Sequence, residues 1–160
     1  MINKQQVIDD LAKKIFDGEN KVEIGKWAYA MYLEKIKDAE NVFYDLLLDL
    51  AVMEYGQEHE LSDEELYQNL DFLGVRQDAK YNKRFFGKDL KACLRNNMNA
   101  GEIGAWAFTF YLDNIAGDDR SYRELVYALM MMEAGPQMER SLEELNQIAD
   151  RLIAGEDVKL

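Results

Sequence analysis

Glu23-Ile24-Gly25-Lys26-Trp27-Ala28-Tyr29 returns as Glu102-Ile103-Gly104-Ala105-Trp106-Ala107-Phe108, an offset of 79 residues. The offset holds without a gap from Asn3/Asn82 to Leu73/Leu152. It pairs Tyr32 with Tyr111, Leu33 with Leu112, Met53-Glu54 with Met132-Glu133, Gly56 with Gly135 and Ser62 with Ser141. Between Glu23 and Leu73, 21 of 51 pairs are identical, far above chance, so the chain reads as one unit written twice. The expected organisation is a single globular domain over 1–160, made of repeat unit 2–74, a short linker 75–80 and repeat unit 81–153.

Working outward from the repeat, each unit reads as four helices. Val7, Ile8, Leu11, Ile15 and Phe16 recur at helical spacing over about 3–17, with Gly18 placed to close that helix in a left-handed cap. Asn20-x-x-Glu23, repeated as Asn99-x-x-Glu102, opens a second helix running to about Lys37. The third, about Glu40–Tyr55, is the most apolar and ends at Gly56. Ser62-x-x-Glu65 and Ser141-x-x-Glu144 are capping boxes for the fourth. No strand alternation is evident. The expected class is therefore all-α, with about eight helices in two similar four-helix units packed as a pseudo-symmetric pair or short solenoid. Gly25 and Gly104 lie inside helices, where Gly costs about 1 kcal/mol against Ala. They are expected to admit a close neighbour, with Trp27, Trp106, Tyr32 and Tyr111 in equivalent, largely buried places.

Of the 160 residues, 48% are apolar and 31% charged, with one Pro and one Cys. That is a globular composition needing no disulfide, and with no signal-like start it points to the cytoplasm. No apolar run approaches a membrane span. Thirty-one acids against 19 bases give a net charge of −12, the wrong sign for direct nucleic-acid or anionic-membrane binding and the right one for a basic protein partner. Catalytic parts are missing. There is one His, His59, and Cys93 reads as a small buried residue. No phosphate loop, zinc spacing or calcium loop occurs. Glu54 and Glu133 follow long apolar runs, as buried catalytic acids would, but are expected near helix C-termini, reaching water or a nearby base. No enzyme activity, cofactor or metal is expected.

The acids are unevenly placed. Asp38 to Val75 contains no Lys or Arg, whereas Arg76 to Arg95 holds seven bases and two acids. Asp45 and Asp49, one turn apart, share the helix face opposite Phe43, Leu46, Leu47 and Leu50. Asp63 and Glu64 suit the first turn of the fourth helix. The candidate partner-binding residues are Asp45, Asp49, Glu58, Glu60, Asp63, Glu64, Tyr67 and Asp71, with Tyr67 as aromatic anchor. The basic stretch Arg76–Arg95 is the rival surface.

The layout of Asp17-Gly18-Glu19, then Glu23-Ile24-Gly25-Lys26-Trp27-Ala28, an apolar helix and a closing Ser-x-Glu-Glu-Leu helix resembles small all-helical bacterial immunity proteins. These are the antidotes of contact-dependent inhibition, colicin-like and other polymorphic toxin systems. The resemblance spans most of each unit, although the duplication departs from the single-unit colicin-type pattern. It implies tight binding and blockade of a cognate toxin, commonly a basic RNase or DNase, and no catalysis by this chain; a monomer is the favoured state. Two other classes remain open. One is a helical-repeat adaptor. The other is an acidic DNA mimic, against which the clustering of the acids in one half argues.

Overall fold

The computed structural model describes all residues, 1–160. Eight α-helices carry the chain: α1 (Lys4–Phe16), α2 (Lys21–Leu33), α3 (Asn41–Ala51), α4 (Asp63–Phe72), α5 (Asn82–Arg95), α6 (Ala100–Asp113), α7 (Arg120–Met130) and α8 (Leu142–Ile153). Single 3-10 turns follow α3 and α7, at Val52–Tyr55 and Met131–Ala134, ahead of Gly56 and Gly135. The chain divides into two compact units, Met1–Val75 and Arg76–Leu160, at the start of the stretch expected to be a linker.

In the first unit, Asn3 caps α1 by accepting from the Gln6 N–H, and Gln6 returns the bond to the Asn3 N–H. Gly18 has φ +69°, the left-handed closure expected of it. Asn20 caps α2 through the Val22 N–H, so Glu23 does not complete the reciprocal bond that the sequence suggested. Ser62 and Glu65 do form the full capping box on α4. The core joins Val7, Leu11 and Ile15 of α1 to Ile24 and Ala28 of α2, Phe43, Leu47 and Leu50 of α3, and Leu66 and Leu70 of α4, all buried.

The second helix is shorter than expected. It stops at Leu33, not near Lys37. Glu34 is extended, and Ile36–Lys37 pairs in parallel with Ile2–Asn3 as a two-stranded sheet of β1 (Ile2–Asn3) and β2 (Ile36–Lys37). The physical reason is Ile36. Leaving the helix lets its side chain reach the core, where it is buried, while its N–H donates to the Tyr44 hydroxyl at 3.1 Å.

In the second unit α5 packs on α8 and α6 on α7. A Cβ on Gly87 would stand 2.7 Å from the Leu152 Cβ and 2.8 Å from the Ala149 carbonyl oxygen, so α5 and α8 meet almost backbone to backbone. At the position 79 residues earlier stands Ile8, a buried residue of α1. Asn99 and Glu102 form a full capping box on α6, whereas Ser141 makes only the forward bond to the Glu144 N–H. Phe86, Leu90, Ile103, Phe110, Leu125, Val126, Leu129 and Leu152 form the core, with Val158 of the C-terminal tail buried against it.

Gly25 and Gly104 behave as their helical setting suggested. A Cβ on Gly25 would lie 2.6 Å from the Glu54 nitrogen, and one on Gly104 2.8 Å from the Glu133 nitrogen. Each helix thus rests on the 3-10 turn after its partner helix, at positions related by the same offset. Trp27 and Trp106 are partly buried at equivalent places in the two units, as are Tyr32 and Tyr111. Trp27 lies under the Lys14 ammonium, 5.5 Å from its ring centre, and Trp106 stacks on Phe86 at 4.8 Å.

Candidate partner-binding face

Helix α3 is built to show acid. Phe43, Leu46, Leu47 and Leu50 turn inward and are buried, leaving Asp45 and Asp49 exposed on the opposite side. Asp45 lines a groove of about 480 Å³ with Tyr32, Leu33, Glu34, Asn41 and Tyr44, where the end of α2 meets the start of α3. The Tyr32 ring stands edge-on to Tyr44 at 6.0 Å and stacks on Tyr29 at 6.4 Å. The Tyr44 hydroxyl is held by the Ile36 N–H, which fixes that wall.

Around these carboxylates the same two helices expose apolar surface: Tyr29, Leu33, Leu48 and Val52, with Leu33 66% accessible. Sequence reasoning missed this apolar half, because aromatic and aliphatic residues at helical spacing read as core. The signal was in α2. From Trp27 to Leu33 it carries no charged residue, and a helical stretch apolar on every side is either fully buried or covered by something else.

The remaining candidates fall elsewhere. Glu60, Asp63 and Tyr67 line a second groove of about 390 Å³ with Phe16, Gly18, Glu19 and Lys21, and share no wall with the first. Tyr67 is half-buried, its ring 5.2 Å from that of Phe16, so part of the proposed anchor is already spent on the fold. Glu58 is exposed and sits 3.5 Å from the His59 imidazole. Glu64 and Asp71 are exposed on α4.

The stretch without bases is not without bases in space. Lys4 reaches Glu40 at 2.6 Å and Lys21 reaches Asp63 at 3.4 Å. The hydrogen bond from Lys4 holds the Glu40 carboxyl below its ordinary value. Glu34, Asp45 and Asp49 have no ion-pair partner within 4 Å, so part of the uncompensated charge of this unit stands beside its exposed apolar surface. Residues 1–75 hold 17 acids and seven bases, a net of −10, and residues 76–160 hold 14 and 12, a net of −2.

The rival basic stretch is engaged within its own unit. Arg76 pairs with Asp89, Lys83 with Asp157 at 2.8 Å, and Lys91 with Asp150 at 2.6 Å, while Arg84 donates to the Ile153 carbonyl. These bases fasten α5 to α8 and to the C-terminal tail. Cys93 is buried, and burial, with the Asp89 charge nearby, pushes its thiol up to about 11. His59 is exposed beside Tyr55. No group of three His, Cys, Asp or Glu side chains is arranged to hold a metal ion, and no helix is long and apolar enough to cross a membrane. What the exposed face of α2 and α3 can do is bind: it offers apolar contact area framed by carboxylates. No family model matches the sequence, and neither a curated protein nor a solved structure matches it significantly.

Proposed function

We infer that the protein is an immunity protein, an antidote that binds and neutralises a basic toxin, most simply a nuclease domain, through the outer face of α2 and α3. The observation that carries this reading is the coincidence of exposed apolar side chains (Tyr29, Leu33, Leu48, Val52) with three unpaired carboxylates (Glu34, Asp45, Asp49) on one helix pair. Apolar anchors ringed by charge are the anatomy of a specific protein interface. The net of −10 on that unit supplies long-range attraction to a cationic partner. The resemblance in the Gly-acid-Trp-Ala layout supports the antidote class, and a cytoplasmic setting suits it.

The internal duplication belongs to the same reading. It is supported by the shared order of four helices with a 3-10 turn after the third, and by the paired roles of Gly25 and Gly104. The chain would then be one ancestral binding unit copied, with one copy keeping an acidic face and the other diverging.

The test is inhibition of a basic nuclease toxin, sought first among the genes beside this chain's own. The purified protein should abolish cleavage at a one-to-one ratio, and Asp45→Lys with Asp49→Lys should relieve the block. Full inhibition by that reversed variant would show that another surface binds. Absence of any toxin gene nearby, with no inhibition of basic nucleases, would favour the adaptor reading.

A further inference from the structure

The groove beside Asp45 has a counterpart in the other unit, and the comparison indicates what it holds. In the second unit a groove of about 430 Å³ is lined by Tyr111, Asp118, Arg120, Arg123, Glu124 and Tyr127. Four of these stand 79 residues after lining residues of the first groove: Tyr32 becomes Tyr111, Asn41 becomes Arg120, Tyr44 becomes Arg123 and Asp45 becomes Glu124. The second groove therefore carries its own cations. The Arg120 Nε donates to Glu124 at 2.9 Å, one turn along α7, and the Arg123 guanidinium donates twice to the Gly117 carbonyl at 3.0 and 2.6 Å. Of its two acids, Glu124 is thus paired from within.

In the first groove both arginines are absent. Asn41 and Tyr44 stand in their places, and Asp45 and Glu34 have no ion-pair partner. Lys35 and Lys37, the nearest bases along the chain, line neither wall. What remains is a cleft lined by two edge-to-face tyrosine rings, one of them stacked on a third, and by two carboxylates. Aromatic faces and carboxylates together recognise a planar cation, the rings through cation–π attraction and the carboxylates through charge-assisted hydrogen bonds. Arginine suits such a cleft better than lysine, because its flat guanidinium stacks on a ring while its edge donates to a carboxylate.

We propose that the groove formed by Tyr32, Glu34, Asn41, Tyr44 and Asp45 seats an arginine side chain of the basic partner, replacing from outside the cation that Arg120 supplies to Glu124 in the second unit. The proposal rests on the antidote reading and names the anchor by which it works.

The experiment is an NMR titration of the labelled full-length chain with N-acetyl-arginine amide, and with the uncharged isostere N-acetyl-citrulline amide. Saturable shifts confined to Leu33, Asn41, Tyr44 and Asp45 are expected for the arginine probe, with a dissociation constant roughly in the millimolar range for so small a ligand. None is expected for citrulline. Asp45→Asn should weaken arginine binding about tenfold. Asn41→Arg, which recreates the internal pair at the spacing of Arg120 and Glu124, should do the same, whereas Val42→Arg, with the same added charge outside the lining, should not. Equal binding of citrulline, shifts elsewhere, or undiminished affinity in both Asp45→Asn and Asn41→Arg would overturn the proposal. The nuclease separates it from the broader reading. Inhibition lost on reversal of Asp45 and Asp49 but unweakened by Asn41→Arg overturns the arginine seat alone. Arginine binding in the groove without inhibition overturns the antidote reading alone.

Discussion

Asn82 and Asn3, 79 positions apart in the sequence, have different tasks. Asn3 caps a helix at the surface. Asn82 is fully buried, and its amide donates to the carbonyls of Arg76 and Asn114 while its oxygen accepts from the Ala116 N–H and the Tyr122 hydroxyl. All four of its bonding positions are used, and the network closes with no buried polar side-chain atom left over. Asn82→Ala should cost on the order of 3–5 kcal/mol, since several buried groups lose their partner at once. Tyr122→Phe leaves Ala116 still bonded and should cost only about 1 kcal/mol. Urea denaturation of both variants checks the ratio, and equal losses would refute the hub. Burial also keeps Cys93 as a thiol at neutral pH, so native protein should react with iodoacetamide far more slowly than denatured protein. Rapid native alkylation would contradict its placement.

At the scale of elements, the sign of a glycine substitution is the sharpest check. Gly25→Ala would gain about 1 kcal/mol of helix propensity if its surroundings were open. Against the Glu54 backbone at 2.6 Å it should instead destabilise by about 1–3 kcal/mol. Gly101 is the control: exposed, and no closer than 3.4 Å to any neighbour, so Gly101→Ala should stabilise. Thermal melts that rank the two the other way would remove the close approach from the account. Acid sensitivity belongs here as well. The Lys4 hydrogen bond lowers Glu40, the Ser62 N–H lowers Glu65 and Lys83 lowers Asp157. Carboxyls depressed in the folded state contribute stability above their ordinary values of 4.5 and 3.8, and it is lost as pH falls through the lower folded values. Melting temperature should therefore drop below about pH 4, and Lys4→Met with Lys83→Met should flatten that drop. These particular elements also show what the sequence could reveal. Helix starts were legible because Ser62, Asn99 and Asn20 announce themselves locally. The end of α2 was not, because Ile36 leaves the helix for a tertiary reason, a place in the core beside Tyr44. The acid half of the proposed binding face was visible as a missing base in the sequence. Its apolar half was not, since helical spacing says which residues share a face and not which face is left uncovered.

The whole molecule is two helical units of unequal charge, and the account turns on that inequality. A partner attracted by a net of −10 should be captured by the first unit, with Asp45 and Asp49 steering its approach and the apolar face of α2 and α3 holding it afterwards. Exposed charges act mainly on the association rate, and salt screens them. Leu33→Ala should leave that rate alone and speed dissociation, by roughly tenfold if Leu33 is an interface anchor. The most direct measurement is the association rate with the basic nuclease at low and high salt, for the native chain and for Asp45→Lys with Asp49→Lys. The account predicts a rate that falls steeply with salt in the native protein, and in the reversed variant a rate at least tenfold slower at low salt and nearly salt-independent. Equal rates and equal salt slopes for the two proteins would contradict it.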